Sequence, residues 1–155
     1  MKVQRVYIDT SVIGGCLDQE FKVWSKGLLR DFQEGTFRLV LSTIVAAEIA
    51  SAIETVQVRY EDFLALESEI LEVTEPAIAL AEAYQSRQIL TPKYYPDGLH
   101  IALATIAEVD VLVSWNFKHI VHFNKIRLFN AVNLEMGYKP LQIYSPREVT
   151  TYGTD

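Results

Sequence analysis

The sequence predicts an α/β fold: a three-layer α/β/α sandwich around a mostly parallel central sheet. Short β-branched or aromatic runs at residues 6–8, 37–41, 70–73 and 111–113 alternate with segments of helical periodicity. Strands lying parallel to one another need crossovers long enough to hold a helix, and those segments supply them. The length agrees. A chain of 155 residues, half of them apolar and 22% charged, is long enough to bury roughly 70% of its unfolded surface around one core. No repeat, linker or charge block divides it, so residues 1–155 read as one domain.

Element by element, Val6-Tyr7-Ile8 forms a first strand that ends at Asp9-Thr10-Ser11, and Gly14-Gly15 suggests a turn and helix. A second strand at 37–41 runs directly into a helix over about 43–56, and a third short strand covers 70–73. Thr74 and Pro76 have the chemistry of a cap and first turn, starting a helix that reaches about Gln88. Pro96-Asp97 opens another helix, to about Ala107. Val111-Leu112-Val113 is a strand that ends at Ser114-Trp115-Asn116; a helix over about 126–136 stops at Gly137, where a left-handed cap is easily adopted. A last strand lies at 141–144. Ser145-Pro146-Arg147-Glu148 then has the pattern of a capping box opening a short terminal helix.

Composition narrows the function. Fourteen Lys and Arg against 20 Asp and Glu give a net charge of -6, which disfavours binding nucleic acid by bulk electrostatics alone. The single Cys16 has no internal disulfide partner and no nearby signature of a reactive thiol. The N-terminal apolar run is far shorter than that of a signal peptide, and none approaches the ~20 residues of a membrane span. A cytoplasmic protein with no membrane role is expected.

In open α/β sheets, ligands bind beyond the carboxyl ends of the strands, where strand order reverses. Asp9, Ser114 and Asn116 end strands; Glu48 lies in the helix after the second strand, and Asp97 opens the helix before Val111. On a helical wheel with Ile44 at zero, Glu48 falls at roughly 40°, within the apolar arc that runs from Ile44 through Val45 and Ile49 to Ile53. A carboxylate there needs a partner. Asp9 and Asp97 each read equally as helix caps, and it is their convergence with Glu48 that signals a site. Three converging carboxylates repel one another unless protons or a cation intervene. A donor set of oxygens alone suits Mg2+ or Mn2+ rather than zinc, and such ions serve phosphodiester hydrolysis.

Four segments, Tyr7-Ile8-Asp9-Thr10-Ser11-Val12-Ile13, the Glu48 helix from Ser42 to Ile49, Asp97-Gly98-Leu99-His100-Ile101-Ala102-Leu103-Ala104, and Leu112-Val113-Ser114-Trp115-Asn116, together resemble the PIN-domain nucleases, in order and over nearly the whole chain. The chain looks most like the short stand-alone members, which include VapC-type toxins of type II toxin-antitoxin pairs. The resemblance implies a parallel sheet between helices, commonly a homodimer, and a Mg2+- or Mn2+-dependent endoribonuclease inhibited by a small antitoxin. It implies that Asp9, Glu48 and Asp97 are metal-binding or catalytic carboxylates, with Asn116 beside them, and that Ser114 hydrogen-bonds near the first aspartate. Many family members carry a further aspartate after that Ser or Thr, where this chain has Asn116 and His119. One well-held metal and a weak second site are therefore expected. The alternative is a catalytically impaired module of the same fold that binds RNA or a protein. A haloacid-dehalogenase-type phosphatase would need a second aspartate where Ser11 stands.

Lys118, His119, His122, Lys125 and Arg127 form the most basic stretch; Lys118, His119 and Lys125 are candidate RNA contacts, and Tyr94 and Tyr95 candidate base-stacking rings. His100 reads as a hydrogen-bonded core histidine and Trp115 as a core or interface residue.

Overall fold

The structure, a computed structural model, describes residues 2–153. Five strands form one sheet in the order β3-β2-β1-β4-β5, with every pairing parallel: β1 (Gln4–Ile8), β2 (Phe37–Ser42), β3 (Ser68–Leu71), β4 (Val111–Val113) and β5 (Ile143–Tyr144). The helices are α1 (Thr10–Gly15), α2 (Lys22–Gln33), α3 (Thr43–Ala50), α4 (Glu54–Leu64), α5 (Glu75–Ser86), α6 (Tyr95–Ile106), α7 (Phe123–Glu135) and α8 (Pro146–Val149).

Side chains alternate across a strand, and the alternation here builds two cores. Tyr7, Val40 and Leu112 face a cluster containing Leu80, Ala81 and Tyr84 of α5, Ile101, Ala102 and Ala104 of α6, and Phe129 and Val132 of α7. Val6, Ile8, Leu39, Leu41 and Val113 face the other way, onto Val12 and Ile13 of α1, Leu28 and Phe32 of α2, Val45 and Ile49 of α3, and Phe63 of α4. These are the three expected layers. No helix among the described residues is long and apolar enough to cross a membrane.

Three local expectations are corrected. The helix expected over 43–56 is two helices, α3 and α4, separated at Ser51, Ala52 and Ile53. No Gly or Pro marks the break; the Gln57 side-chain amide donates to the carbonyls of Ile49 and Ala50, satisfying the end of α3 from the next helix. Gly14 and Gly15 make no turn but lie inside α1, which starts directly after Asp9. Gly15 has a packing reason, because a Cβ there would stand 2.6 Å from Trp115 Nε1.

The sequence suggests one helix between the first two strands; the structure has two, α1 and α2. The buried face of α2 includes Ser25, Gly27 and Asp31, which interrupt the apolar stripe. Asp31 accepts bonds from the Thr150 hydroxyl (2.6 Å), the Thr151 amide (3.0 Å) and the Thr151 hydroxyl. A Cβ on Gly27 would meet Tyr152 Cβ at 2.8 Å, so the segment after α8 lies directly across α2.

Candidate active site

The strand order places β1 between β2 and β4, so the chain winds outward through β2 and β3 before crossing to β4 and β5 on the other side. The switch point is the gap between the carboxyl ends of β1 and β4. There Ile8 pairs with Val113, and the Asp9 amide donates to the Val113 carbonyl. The next residues on the two strands, Asp9 and Ser114, are thereby brought side by side.

Asp9 occupies the N-cap position of α1, yet its side chain caps nothing. Its carboxylate accepts from the hydroxyls of Ser11 (2.6 Å, Oδ1) and Ser114 (2.7 Å, Oδ2) and is only 4% exposed. Burial pushes its pKa up, and the charge of Asp97 pushes the same way; His100 and the two serine bonds oppose both. Ser114 also accepts from the Asn116 amide at 2.9 Å, and Ser11 from the Trp115 amide at 2.9 Å. Two hydroxyls thus tie the β4 loop to the buried acid.

Glu48 sits at the margin of its helix's buried face, with its side chain 37% exposed. Its Oε1 accepts from Thr10 Oγ1 at 2.7 Å and lies 2.7 Å from His100 Nε2. The chain continues inward: His100 Nδ1 is 2.6 Å from the Tyr7 hydroxyl, which is 2.8 Å from Ser42 Oγ. Tyr7, Ser42 and His100 are all buried. Burial raises the Tyr7 pKa well above the ordinary phenol value. For His100, burial disfavours the imidazolium, but the Glu48 bond and the charges of Asp9, Glu48 and Asp97 outweigh it, and the pKa is raised. Glu48 is the reverse case: burial pushes it up, while the His100 bond and charge and the Thr10 bond bring it below the ordinary value. His100 is therefore the hydrogen-bonded core histidine expected, and it also reaches the site.

Asp97 is not the N-cap of α6; Tyr94 holds that position, and the acid lies in the first turn. Its Oδ2 is 3.0 Å from His119 Nδ1 and 3.3 Å from Asn116 Nδ2. Asn116 Oδ1 in turn accepts from the His119 amide at 2.9 Å, and the His119 ring lies against Tyr94 with centroids 3.9 Å apart. Asp9, Glu48 and Asp97 thus approach one another through His100, Ser114 and Asn116. Among the described residues none of the three is paired with an arginine or lysine.

The other candidates are dispersed. His119 orients Asp97 from a largely buried position. Lys125 Nζ is tied to the Ile89 carbonyl at 2.8 Å. Tyr95 is half-buried against the α5–α6 core. Lys118 is exposed and forms no ion pair among the described residues. Trp115 is buried, its Nε1 donating to Ser25 Oγ at 2.8 Å, and burial raises the Cys16 thiol to about 11, which keeps it inert. Sequence reasoning missed Thr10 and Ser11 as supports of the acids; their place directly after a strand-ending aspartate was the available signal. It also missed Tyr7 and Ser42, whose spacing carries none.

A hard cation suits this chemistry: carboxylate oxygens, a buried acid pressed by a second, and Glu48 Oε2 and Asp97 Oδ1 outside any hydrogen bond among the described residues. The spacing is less ready than expected. Among the described residues no three His, Cys, Asp or Glu side chains are disposed to hold a metal ion. The acids are held by hydrogen-bond donors rather than gathered around one common point.

The family follows from comparison with known proteins. The sequence model of the PIN domain matches residues 6–120. The chain belongs to the PIN domain family. PIN domains are typically nucleases, and as a group they generally use divalent metals. No curated protein matches the chain. Solved structures of similar fold include FitAcB from Neisseria gonorrhoeae (17% identity over 93% of this chain and 99% of that one, TM-score 0.59). VapBC-1 from nontypeable Haemophilus influenzae is similar at 17% identity over 92% and 98% of the two chains, with a TM-score of 0.58. VapBC2 from Rickettsia felis, bound to a DNA fragment from its promoter, gives 15% identity over 91% and 98%, with a TM-score of 0.56. At these identities the likeness is one of fold.

Proposed function

We propose that this PIN domain is a Mg2+- or Mn2+-dependent endoribonuclease, the toxin of a toxin-antitoxin pair, acting in the cytoplasm as a single domain over 1–155. What supports the reading is that Asp9, Glu48 and Asp97 are linked through Ser114, His100 and Asn116 around the β1–β4 switch point, and that among the described residues none of the three is paired with an arginine or lysine. Asp9, Glu48 and Asp97 are the residues that would hold the cation; Asn116 turns its amide nitrogen to Asp97 and spends its oxygen on the His119 amide. When bound, such an ion supplies positive charge to a phosphate and makes a water more acidic.

The chain's own residues do the positioning. Ser11 and Ser114 fix both oxygens of Asp9; Thr10 and His100 fix one oxygen of Glu48 and leave the other available; Asn116 and His119 do the same for Asp97. Preorganisation of this kind lowers the cost of aligning an in-line attack. A small antitoxin and a second copy of the chain are the proposed protein partners. The similar fold of the VapBC and FitAcB structures supports the antitoxin. Phe123 and Leu134, both exposed on α7, supply apolar surface for self-association. A small reading frame abutting this one would support the pairing.

A second reading is favoured by Asn116: an amide, not a carboxylate, faces Asp97, which removes one charge from any second cation site. That chain would bind RNA or protein without cutting. One assay separates the two. Purified protein is incubated with single-stranded RNA under Mn2+, Mg2+ or EDTA, alongside Asp9→Asn. Cleavage that needs the metal and is lost in Asp9→Asn supports the nuclease; no cleavage by either protein, or undiminished cleavage by the variant, refutes it.

A further inference from the structure

Beside the acids the β4 loop builds a second feature, which the nuclease reading does not use. Ser114 and Asn116 turn towards Asp9 and Asp97, while the residues interleaved with them, Trp115 and Phe117, join an aromatic cluster with Phe21 and Trp24. Trp115 stacks on Phe21 with centroids 4.0 Å apart and planes at 15°, and its indole is pinned to Ser25 and packed against Gly15. Phe117 is the outer member. Its ring stands 6.0 Å from Trp115 and 6.2 Å from Phe21, and the residue is 48% exposed.

An exposed aromatic ring braced by two others loses little freedom when a flat partner settles on it. Its position identifies the partner. Phe117 immediately follows Asn116, which holds Asp97, and precedes Lys118, an exposed cation with no ion pair among the described residues. A ring for a base and an ammonium for its phosphate, on consecutive residues of the loop that carries Asn116 to Asp97, are the elements with which single strands are bound. Apolar protein surface would find the ring but have no use for the lysine.

Resting on the ribonuclease reading, we propose that Phe117 is a stacking platform for an unpaired nucleobase next to the scissile phosphate, with Lys118 contacting the adjoining phosphate. The base it takes must be unpaired, because a base inside an A-form duplex presents no free face.

The test uses one oligoribonucleotide in three forms, single-stranded, annealed to its complement, and single-stranded with an abasic nucleotide beside the cleavage position. Wild type, Phe117→Ala and Phe117→Tyr are compared for KM and kcat, and for equilibrium binding by anisotropy in the Asp9→Asn background. Thermal melting checks that each variant folds. The expected result is a roughly tenfold weaker KM and binding for Phe117→Ala, with kcat kept within about twofold. Phe117→Tyr should restore wild-type values, and the abasic strand should erase the difference between wild type and Phe117→Ala. Unchanged binding in Phe117→Ala, equal cleavage of duplex and single strand, or a loss confined to self-association or binding of a partner protein overturns the proposal. If wild type binds but cuts nothing while Phe117→Ala still weakens binding, the nuclease reading fails and the platform stands.

Discussion

Replacing Tyr7 by phenylalanine isolates one oxygen in the buried chain that links the sheet to the site. The hydroxyl touches Ser42 Oγ at 2.8 Å and His100 Nδ1 at 2.6 Å, and Tyr7 is fully buried. Phenylalanine keeps the ring that packs in the β1–β2–β4 core, so almost no cavity is made. What is lost is the pairing of two buried polar groups. Ser42 retains its bond from the Val45 amide at 3.4 Å, whereas His100 Nδ1 has no other partner among the described residues. One orphaned buried nitrogen costs about 1–3 kcal/mol. For a chain of this size each kcal/mol lowers the melting temperature by about 2–4 °C. Tyr7→Phe should therefore melt roughly 2–12 °C below wild type, with an unchanged denaturant slope in a urea titration. A double-mutant cycle with His100→Asn should show coupling of at least about 0.5 kcal/mol. A variant as stable as wild type, or a cycle that is additive, would refute the claim that this hydroxyl holds His100.

The titrating groups give a second prediction. The His100 pKa is raised in the fold, so its contribution is complete below its ordinary 6.5 and is lost as pH climbs through the folded value. Asp9, raised above 3.8, works in the same sense, since ionising it in the core becomes a cost as pH rises. Glu48 is lowered, so its contribution is present above 4.5 and disappears as pH falls through the folded value. The urea midpoint should peak between about pH 4.5 and 6.5 and decline towards pH 9, and His100→Asn should flatten the alkaline limb; a flat wild-type profile contradicts the assignment. The third concerns neighbouring glycines. Gly15→Ala should lose about 1–3 kcal/mol, because its methyl meets Trp115 Nε1 at 2.6 Å, and the tryptophan fluorescence should shift. Gly14→Ala meets nothing within 4 Å and should gain up to about 1 kcal/mol in melting experiments; equal behaviour of the two would show that the packing of Trp115 on α1 is misread.

The elements legible from sequence are those whose signals are local. Thr74 accepts from the Ala77 amide, Ser145 and Glu148 close a capping box, and Gly137 adopts φ 88°, each at the position its residue type indicated. Where a partner outside the element or an unusual capping residue decides, the reading failed. Gln57 ends α3 from outside it, and Asp31 and Gly27 look like helix interruptions until the segment from Thr150 to Tyr152 lies over them. Helix α7 starts at Phe123 because a histidine, His122, caps it by accepting from the Lys125 amide, a role usually read from Ser, Thr, Asp or Asn. The same division runs through the site. Asp9, Glu48 and Asp97 could be placed by strand ends and helix phase, but the side chains that hold them could not. The Tyr7–His100 and Asn116–Asp97 contacts depend on which strands are neighbours, and the order β2-β1-β4 is written nowhere locally.

How the acids are held also bears on what a cation does for this chain. A buried carboxylate satisfied only by an ion would unfold its surroundings when the ion left. Asp9 instead takes two serine hydroxyls, Glu48 a threonine and an imidazole, and Asp97 an amide and an imidazole. Each already has donors, so on the proposed reading the fold would stand without the ion. The donors are also of a kind that yields: hydroxyls and amides carry no full charge, and an imidazole, unlike an arginine, can give up its own. An arginine in place of His100 would sit permanently among Asp9, Glu48 and Asp97 and compete with any incoming cation at every pH. With histidine at the centre, the negative charge of the three acids is only partly compensated, and on the proposed reading this would leave the site attractive to a divalent ion and, through it, to the phosphates that a chain of net charge -6 would otherwise repel.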